Sequence, residues 1–196
     1  YIEEPVYETL VRRLVELTNR LTIGDPTSRT VYLGPVVNNS SYKDYQAFCA
    51  ELAQAGNLLA GGKVLTEGAY AKGYFCAPTL VADLPYEHRL WKEEMFLPIT
   101  TLGSVKNLDE AMRHANDVAY GLTAGFYGSD EEAEWFFEHI EAGVTYANRP
   151  QGATTGAWPG FQPFGGWKGS GSSGKNAGGH YYLPLYMHEQ IRTLVK

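Results

Sequence analysis

Apolar residues recur along this chain at two spacings that alternate from one segment to the next. Val6, Leu10, Val11, Leu14 and Val15 fall at helical intervals, which predicts an amphipathic helix with one buried stripe. Glu3 and Glu4 stand at its positive end, where acidic side chains are favoured. The breakers Gly24-Asp25-Pro26 bound it. Tyr42–Ala55 reads as a second helix, buried through Tyr45, Phe48, Cys49 and Leu52. Leu58–Ala60, Tyr74–Val81 and Ile99–Val105 read as strands, with Pro78 demoting part of the second to an edge or loop. Leu108–Ala115 and Glu131–Ile140 read as helices, and Thr123–Tyr127 and Val144–Ala147 as short strands between and after them. Strands separated by helices predict an α/β fold, a mostly parallel sheet with helices on both faces.

The pattern breaks after Asn148. Between Gly152 and Gly179 lie ten of the chain's 22 glycines, interleaved with Trp158, Phe161, Phe164 and Trp167. Disordered linkers are poor in aromatics, so this stretch predicts an ordered, substrate-facing loop. Strand-like residues return from Tyr181 to Lys196, an arm suited to pairing with a sheet in another subunit.

Composition narrows the classes. The 196 residues carry 16 Lys+Arg against 22 Asp+Glu, a formal net charge of −6. A hydrophobic share of 44% supplies a core, and 19% charged residues is below the usual ~25%. No basic patch is present to hold nucleic acid, and no apolar run approaches the ~20 residues of a membrane span. Cys49 and Cys76 are too few for a disulfide scaffold and suit a reducing cytoplasm. The chain starts at Tyr1 with no signal-like segment, and is expected to be a piece of something longer.

Candidate chemistry is sparse. Residues 169–175, Gly-Ser-Gly-Ser-Ser-Gly-Lys, fit both G-x-G-x-x-G and G-x-x-x-x-G-K. Such signatures hold phosphate only when a strand leads into the glycine turn and a helix leaves it. Neither is expected here, and Asn176 stands where a phosphate loop needs Ser or Thr. The five histidines are scattered without metal-ligand spacing, so no metal site is expected. Cys49 and Cys76 lie among apolar residues and read as small buried hydrophobes rather than activated thiolates. Glu93 and Glu94, before Met95-Phe96-Leu97-Pro98, read from composition alone as a solvated helix end.

Four segments taken together resemble the C-terminal half of the aldehyde dehydrogenase superfamily. Glu93-Glu94-Met95-Phe96-Leu97-Pro98-Ile99 resembles its E-E-x-F-G-P-x segment, and Asn116-Asp117-Val118-Ala119-Tyr120-Gly121-Leu122 its N-x-x-x-Y-G-L segment. Residues 163–171 resemble its P-F-G-G-x-K-x-S-G loop, and Gly24-Asp25-Pro26 with Leu33-Gly34-Pro35 its G-D-P and G-P turns. Within the superfamily, Thr155–Gly166 and Gly178–Tyr182 are most similar to 1-pyrroline-5-carboxylate (glutamate semialdehyde) dehydrogenases. The alternatives are another semialdehyde or an aliphatic or aromatic aldehyde.

The resemblance implies roles. Glu94 would accept the hydroxyls of a nicotinamide ribose of NAD or NADP, with Phe96 packed beside it. Backbone amides at Gly156 and Ala157 would hold the substrate's α-carboxylate, and Phe164 would line its aliphatic chain. Leu97 replaces the family's usual Gly. The family's nucleophilic cysteine, which attacks the aldehyde to give a thioester on hydride loss, is expected upstream of Tyr1, so this chain alone is expected to be inactive. Residues 1–178 would be a catalytic-domain portion and 179–196 an oligomerisation arm. The implied partners are an upstream cofactor-binding domain of the same enzyme and further copies in a cytoplasmic homo-oligomer. A naturally short, non-catalytic homologue serving as a partner subunit is the alternative.

Overall fold

The computed structural model describes residues 1–150, 162–171 and 175–196. Two compact units divide the chain, Tyr1–Ala111 and Met112–Lys196.

In the first unit, strand β1 (Ile2–Glu3) leads into helix α1 (Glu4–Asn19), with a proline in its first turn. There the missing N–H costs nothing. The helix turns Val11, Leu14 and Val15 onto a buried cluster of Ala60, Leu80 and Leu102. It stops ahead of the expected glycine-proline breaker. Helix α2 (Asn39–Ala55) is capped by Asn38, whose side chain accepts from the Ser41 N–H at 2.8 Å. It buries Tyr45, Cys49 and Leu52. Phe48, expected in the core, is half-buried under the Arg89 guanidinium.

Strands β2 (Asn57–Ala60), β3 (Val64–Leu65), β4 (Phe75–Cys76) and β5 (Thr79–Ala82) follow, then β6 (Ile99–Thr101) and β7 (Ser104–Val105). The strand expected over Tyr74–Val81 is two strands. Pro78 has no N–H to give a ladder, and the chain changes partner across it: β4 pairs antiparallel with β3, while β5 pairs antiparallel with β2 and parallel with β6. Ile99–Val105 divides similarly at Leu102-Gly103, and β7 runs parallel to β1. Gly103 leaves room there for two rings: a Cβ would stand 2.8 Å from the Tyr86 hydroxyl and 2.9 Å from the Trp91 ring, and those ring ends would have to shift.

Helix α3 (Leu108–Asn116) carries the chain into the second unit. Strand β8 (Tyr120–Gly121) precedes a β-α-β run of β9 (Thr123–Phe126), α4 (Asp130–His139) and β10 (Val144–Ala147). Strands β9 and β10 pair in parallel over four residues, the longest unbroken ladder among the described residues. Ser129 and Glu132 form a reciprocal capping box at the start of α4. Phe126 stacks on Phe136 over a core of Met112, Phe136, Ile140 and Ala142. The α/β organisation predicted by the alternation is thus present, with antiparallel ribbons alongside the parallel ladders.

A short strand β11 (Trp167–Lys168) pairs antiparallel with β8. Beyond it, Leu183–Tyr186 form a 3-10 turn and no strand follows. The strand-like tail has no partner edge within the described residues, and an unpaired strand is not stable alone. Among the described residues no helix is long and apolar enough to cross a membrane.

Candidate functional site

Two segments carry the expected site residues, one in each unit. The first runs from a 3-10 turn at Arg89–Trp91 to Pro98. Its two adjacent carboxylates have different fates. Glu93 is tied to Arg89, whose Nη1 donates to Glu93 Oε2 at 2.5 Å. The same guanidinium clasps Glu51 of α2 with Nε and Nη2 at 3.0 and 2.5 Å, a two-point grip. Hydrogen bonding to Glu51 raises the Arg89 pKa further. His88 Nε2 lies 3.4 Å from Glu51, while its Nδ1 accepts from the Leu90 N–H. Glu94 is exposed and takes no hydrogen bond or ion pair among the described residues.

Past Glu94 the side chains alternate. Met95 packs onto the buried cluster of Leu52, Val81, Leu84 and Leu90, and Leu97 onto Tyr45, Cys49 and Cys76. Phe96, between them, is 84% exposed and has φ of 53°. A bulky residue in this left-handed region costs about 1 kcal/mol. The loop is closed by Ile99 N–H to Leu97 C=O at 2.7 Å and by Thr79 N–H to Pro98 C=O at 2.9 Å. It therefore presents a free carboxylate and an aromatic ring outward, on a base held by two apolar plugs.

Beneath Leu97 lies a small polar network. The Tyr45 hydroxyl is 2.7 Å from Thr79 Oγ1 and donates to Ala77 C=O at 2.6 Å, and Gly62 N–H donates to Thr79 Oγ1 at 2.9 Å. Burial pushes the Cys76 thiol up to about 11 and raises Cys49 as well. Both are free and buried, so neither is an activated thiolate.

The second segment spans Pro163–Gly171. Phe164 is half-buried, and its backbone exchanges both hydrogen bonds with Ala177, at 2.6 and 2.9 Å. Gly165 and Gly166 are buried. Trp167 and Lys168 lie against Gly121 and Tyr120, so the two sequence motifs at 116–122 and 163–171 are neighbouring strands. Ser170 Oγ accepts from Gly121 N–H at 3.1 Å, and Gly169 N–H donates to Ala119 C=O at 2.9 Å. Lys168, at φ of 51°, is held there by Nζ bonds to the Asn116 and Val118 carbonyls and an ion pair with Glu141. Asn116 receives the Glu141 N–H and donates to His139 C=O, both at 2.9 Å. Gly156 and Ala157 lie outside the described residues.

Three features went unread in the sequence. Arg89 and its partner Glu51 are 38 positions apart, and composition marks neither. The plugs Met95 and Leu97 had a signal in their alternation with Glu94 and Phe96. Strand β11 directly precedes the glycine-serine run, where no strand was expected. It is a two-residue ladder whose existence depends on β8. No helix follows the run: Lys175 stands over the Tyr181 ring and Ala177 bridges to Phe164. Among the described residues no group of three His, Cys, Asp or Glu side chains is placed to hold a metal ion.

A model of the aldehyde dehydrogenase family matches residues 1–191. The 1-pyrroline-5-carboxylate dehydrogenase of Bacillus mycoides strain KBAB4 is 38% identical over 193 residues, 98% of this chain and 36% of that protein. A solved structure of 1-pyrroline-5-carboxylate dehydrogenase from Thermus with bound NAD superposes with a TM-score of 0.82 at 37% identity, over 92% of this chain and 34% of that one. Proline utilization A from Bdellovibrio bacteriovorus gives 0.84 at 35% identity, over 95% of this chain and 19% of that one. The chain spans about a third of the length of the curated relatives it matches. With motifs, fold and relatives in agreement, the chain belongs to the aldehyde dehydrogenase family.

Proposed function

We propose that this chain forms part of the catalytic domain of a nicotinamide-dependent aldehyde dehydrogenase, and that its substrate is L-glutamate γ-semialdehyde, oxidised to glutamate in proline catabolism. The observation that carries the reading is the Glu94–Phe96 presentation: an exposed carboxylate, unpartnered among the described residues, beside an exposed ring, on a loop anchored from beneath. That pair fits a nicotinamide ribose. A carboxylate is acceptor-only and takes two hydroxyl donors at once, and a flat ring beside it packs against the sugar and base. When bound, NAD or NADP accepts the hydride; Glu94 fixes the ribose, and so the transfer geometry. The substrate assignment is supported by the relatives near 38% identity, which are 1-pyrroline-5-carboxylate dehydrogenases.

On the substrate side, Gly156 and Ala157 would offer backbone amides to the α-carboxylate, and Phe164, its backbone locked to Ala177, would line the aliphatic chain. Oxidation in this reading passes through a cysteine thioester. Cys49 and Cys76, the chain's two cysteines, are buried with raised pKa values and serve packing instead. The chain by itself is therefore expected not to turn over aldehyde. Residues 1–178 act as the catalytic portion, working with a cofactor-binding domain of the same enzyme. Residues 179–196 are an arm for pairing with another copy, which fits the exposure of Ile191, Leu194 and Val195. The two free cysteines fit a cytoplasmic enzyme.

The test is Glu94→Gln in the enzyme that contains this chain. NADH affinity should fall and hydride transfer slow by about tenfold or more, with the unfolding midpoint unchanged. Unaltered affinity and turnover would sink the ribose assignment. A kcat/KM no higher for glutamate semialdehyde than for a simple aliphatic aldehyde would sink the substrate assignment.

A further inference from the structure

Leu97 stands where the family's E-E-x-F-G-P segment has glycine, and its side chain is employed. It packs on Tyr45, Cys49 and Cys76, of which Tyr45 has no exposed surface. The backbone freedom of glycine is not drawn upon at this position. Within residues 89–98 the positive φ falls on Phe96 alone, and a residue before proline is held extended by the ring that follows. The left-handed turn lies one residue earlier, on the exposed aromatic.

We infer that Leu97 is a positioning residue for the cofactor-facing pair: its side chain, seated on the Tyr45–Cys49–Cys76 cluster, holds Phe96 in its left-handed conformation and Glu94 outward. The inference rests on the proposed reading of Glu94 and Phe96 as cofactor contacts. A strained residue persists only where its surroundings over-determine it. Here the constraints converge from both flanks. Met95 is seated on one buried cluster and Leu97 on another. Behind Leu97, the Pro98 carbonyl is fastened to the N–H of Thr79, and the Thr79 hydroxyl contacts Tyr45 in the same cluster that receives Leu97. Seat and backbone clasp are one continuous unit. Shortening Leu97 removes the seat and leaves the strain of Phe96 unopposed. The loop then relaxes, and a carboxylate and ring that were preorganised must be ordered anew when cofactor binds.

The experiment uses the enzyme containing this chain, with Leu97→Ala, the milder Leu97→Val, and Leu97→Met as the conservative rescue. Amide hydrogen exchange without cofactor reports the loop directly. In Leu97→Ala the Ile99 and Thr79 amides should exchange about tenfold faster while those of Gly121 and Gly143 do not change. NADH affinity, read by fluorescence, should weaken about fivefold, with KM for NAD⁺ rising more than kcat changes. Leu97→Val should fall between, and Leu97→Met should return both readouts close to the starting enzyme. Exchange at Ile99 and Thr79 that does not change overturns the inference, as does faster exchange with NADH affinity intact. Glu94→Gln in parallel separates the two readings. Unchanged NADH affinity there overturns the cofactor reading and this inference with it; weakened affinity there beside an unchanged Leu97→Ala overturns the inference alone.

Discussion

The loop at 89–98 and the loop at 163–171 solve the same problem, holding irregular backbone in one shape, by opposite means. The first is held by side chains. Met95 and Leu97 plug into separate cores, Arg89 grips Glu51 and Glu93, and two backbone bonds close its end. The second is held by backbone and by the absence of side chains. Its strand pairs with β8, Gly165 and Gly166 are buried, and Ser170 and Lys168 bond main-chain groups. A plugged loop can present large side chains outward at alternate positions, as Glu94 and Phe96 are. A knitted loop keeps its own backbone close to neighbouring backbone, and its amides at Phe164 and Gly169 are engaged in that contact.

The largest effect should come from adding one atom to the knitted loop. Gly143 N–H bonds Gly121 C=O at 2.9 Å, and a Cβ there would run into the Gly165 carbonyl and stand 2.9 Å from the Gly166 Cα. Backbone on both sides cannot yield as a side chain end would. Gly143→Ala should cost about 3 kcal/mol in urea unfolding, with exchange at Gly121 and Gly169 accelerated and that at Ile99 and Thr79 spared. A loss under about 1 kcal/mol would show that the two segments are not packed backbone to backbone.

A second contrast is set by pH. Burial pushes the Cys76 thiol up to about 11 from an ordinary value near 9, Cys49 shifts in the same direction, and burial raises Tyr45. Above pH 9 the unfolded chain sheds a thiol proton that the folded chain keeps. Stability is therefore fully present below about 9 and is lost as pH rises through the folded value, by about 2 kcal/mol for Cys76 over that window. The seat under Leu97 should loosen with it, so exchange at Ile99 should quicken between pH 9 and 11 beyond the intrinsic rate. Gly121 and Gly143, which belong to the other unit from Tyr45, Cys49 and Cys76, should follow the intrinsic rate alone. Cys76→Ala should flatten the alkaline slope; an unchanged slope would remove the thiol from the account.

The same contrast explains what could be read from the chain beforehand. Helices α2 and α4 were legible because burial at Tyr45, Cys49 and Leu52, or at Ala133 and Phe136, follows helical period, which is local information. Pro78 announced an interruption, but the change of partner across it depends on β2, β3 and β6, which are distant in sequence. Strand β11 was invisible for that reason: two residues make a strand only where another strand waits. For the site, composition alone reads Glu94 as a solvated helix end, and the motif resemblance is what singles it out. Its distinction from Glu93 comes from Arg89, and the arginine's other partner, Glu51, belongs to another helix. The sequence carries residue types; which of two like charges is left free is decided by tertiary contact.

The smallest effect should be at Arg89, although its contacts look the strongest drawn on the surface. Its side chain is 46% exposed and both carboxylates are solvated at 33% and 55%. Water and salt already screen such pairs, and holding three long side chains in one arrangement costs rotamer entropy. Arg89→Met keeps an unbranched side chain and removes the guanidinium, with its carboxylate bonds and its place over the Phe48 ring. The unfolding midpoint should drop by about 2 °C or less, and the difference from the starting protein should vanish in high salt. Exchange at Ile99 should scarcely respond, because the plugs Met95 and Leu97 remain seated. If Arg89→Met instead frees Ile99 as much as Leu97→Ala does, the first loop is held by its ion pairs, and the contrast between a plugged and a knitted loop fails.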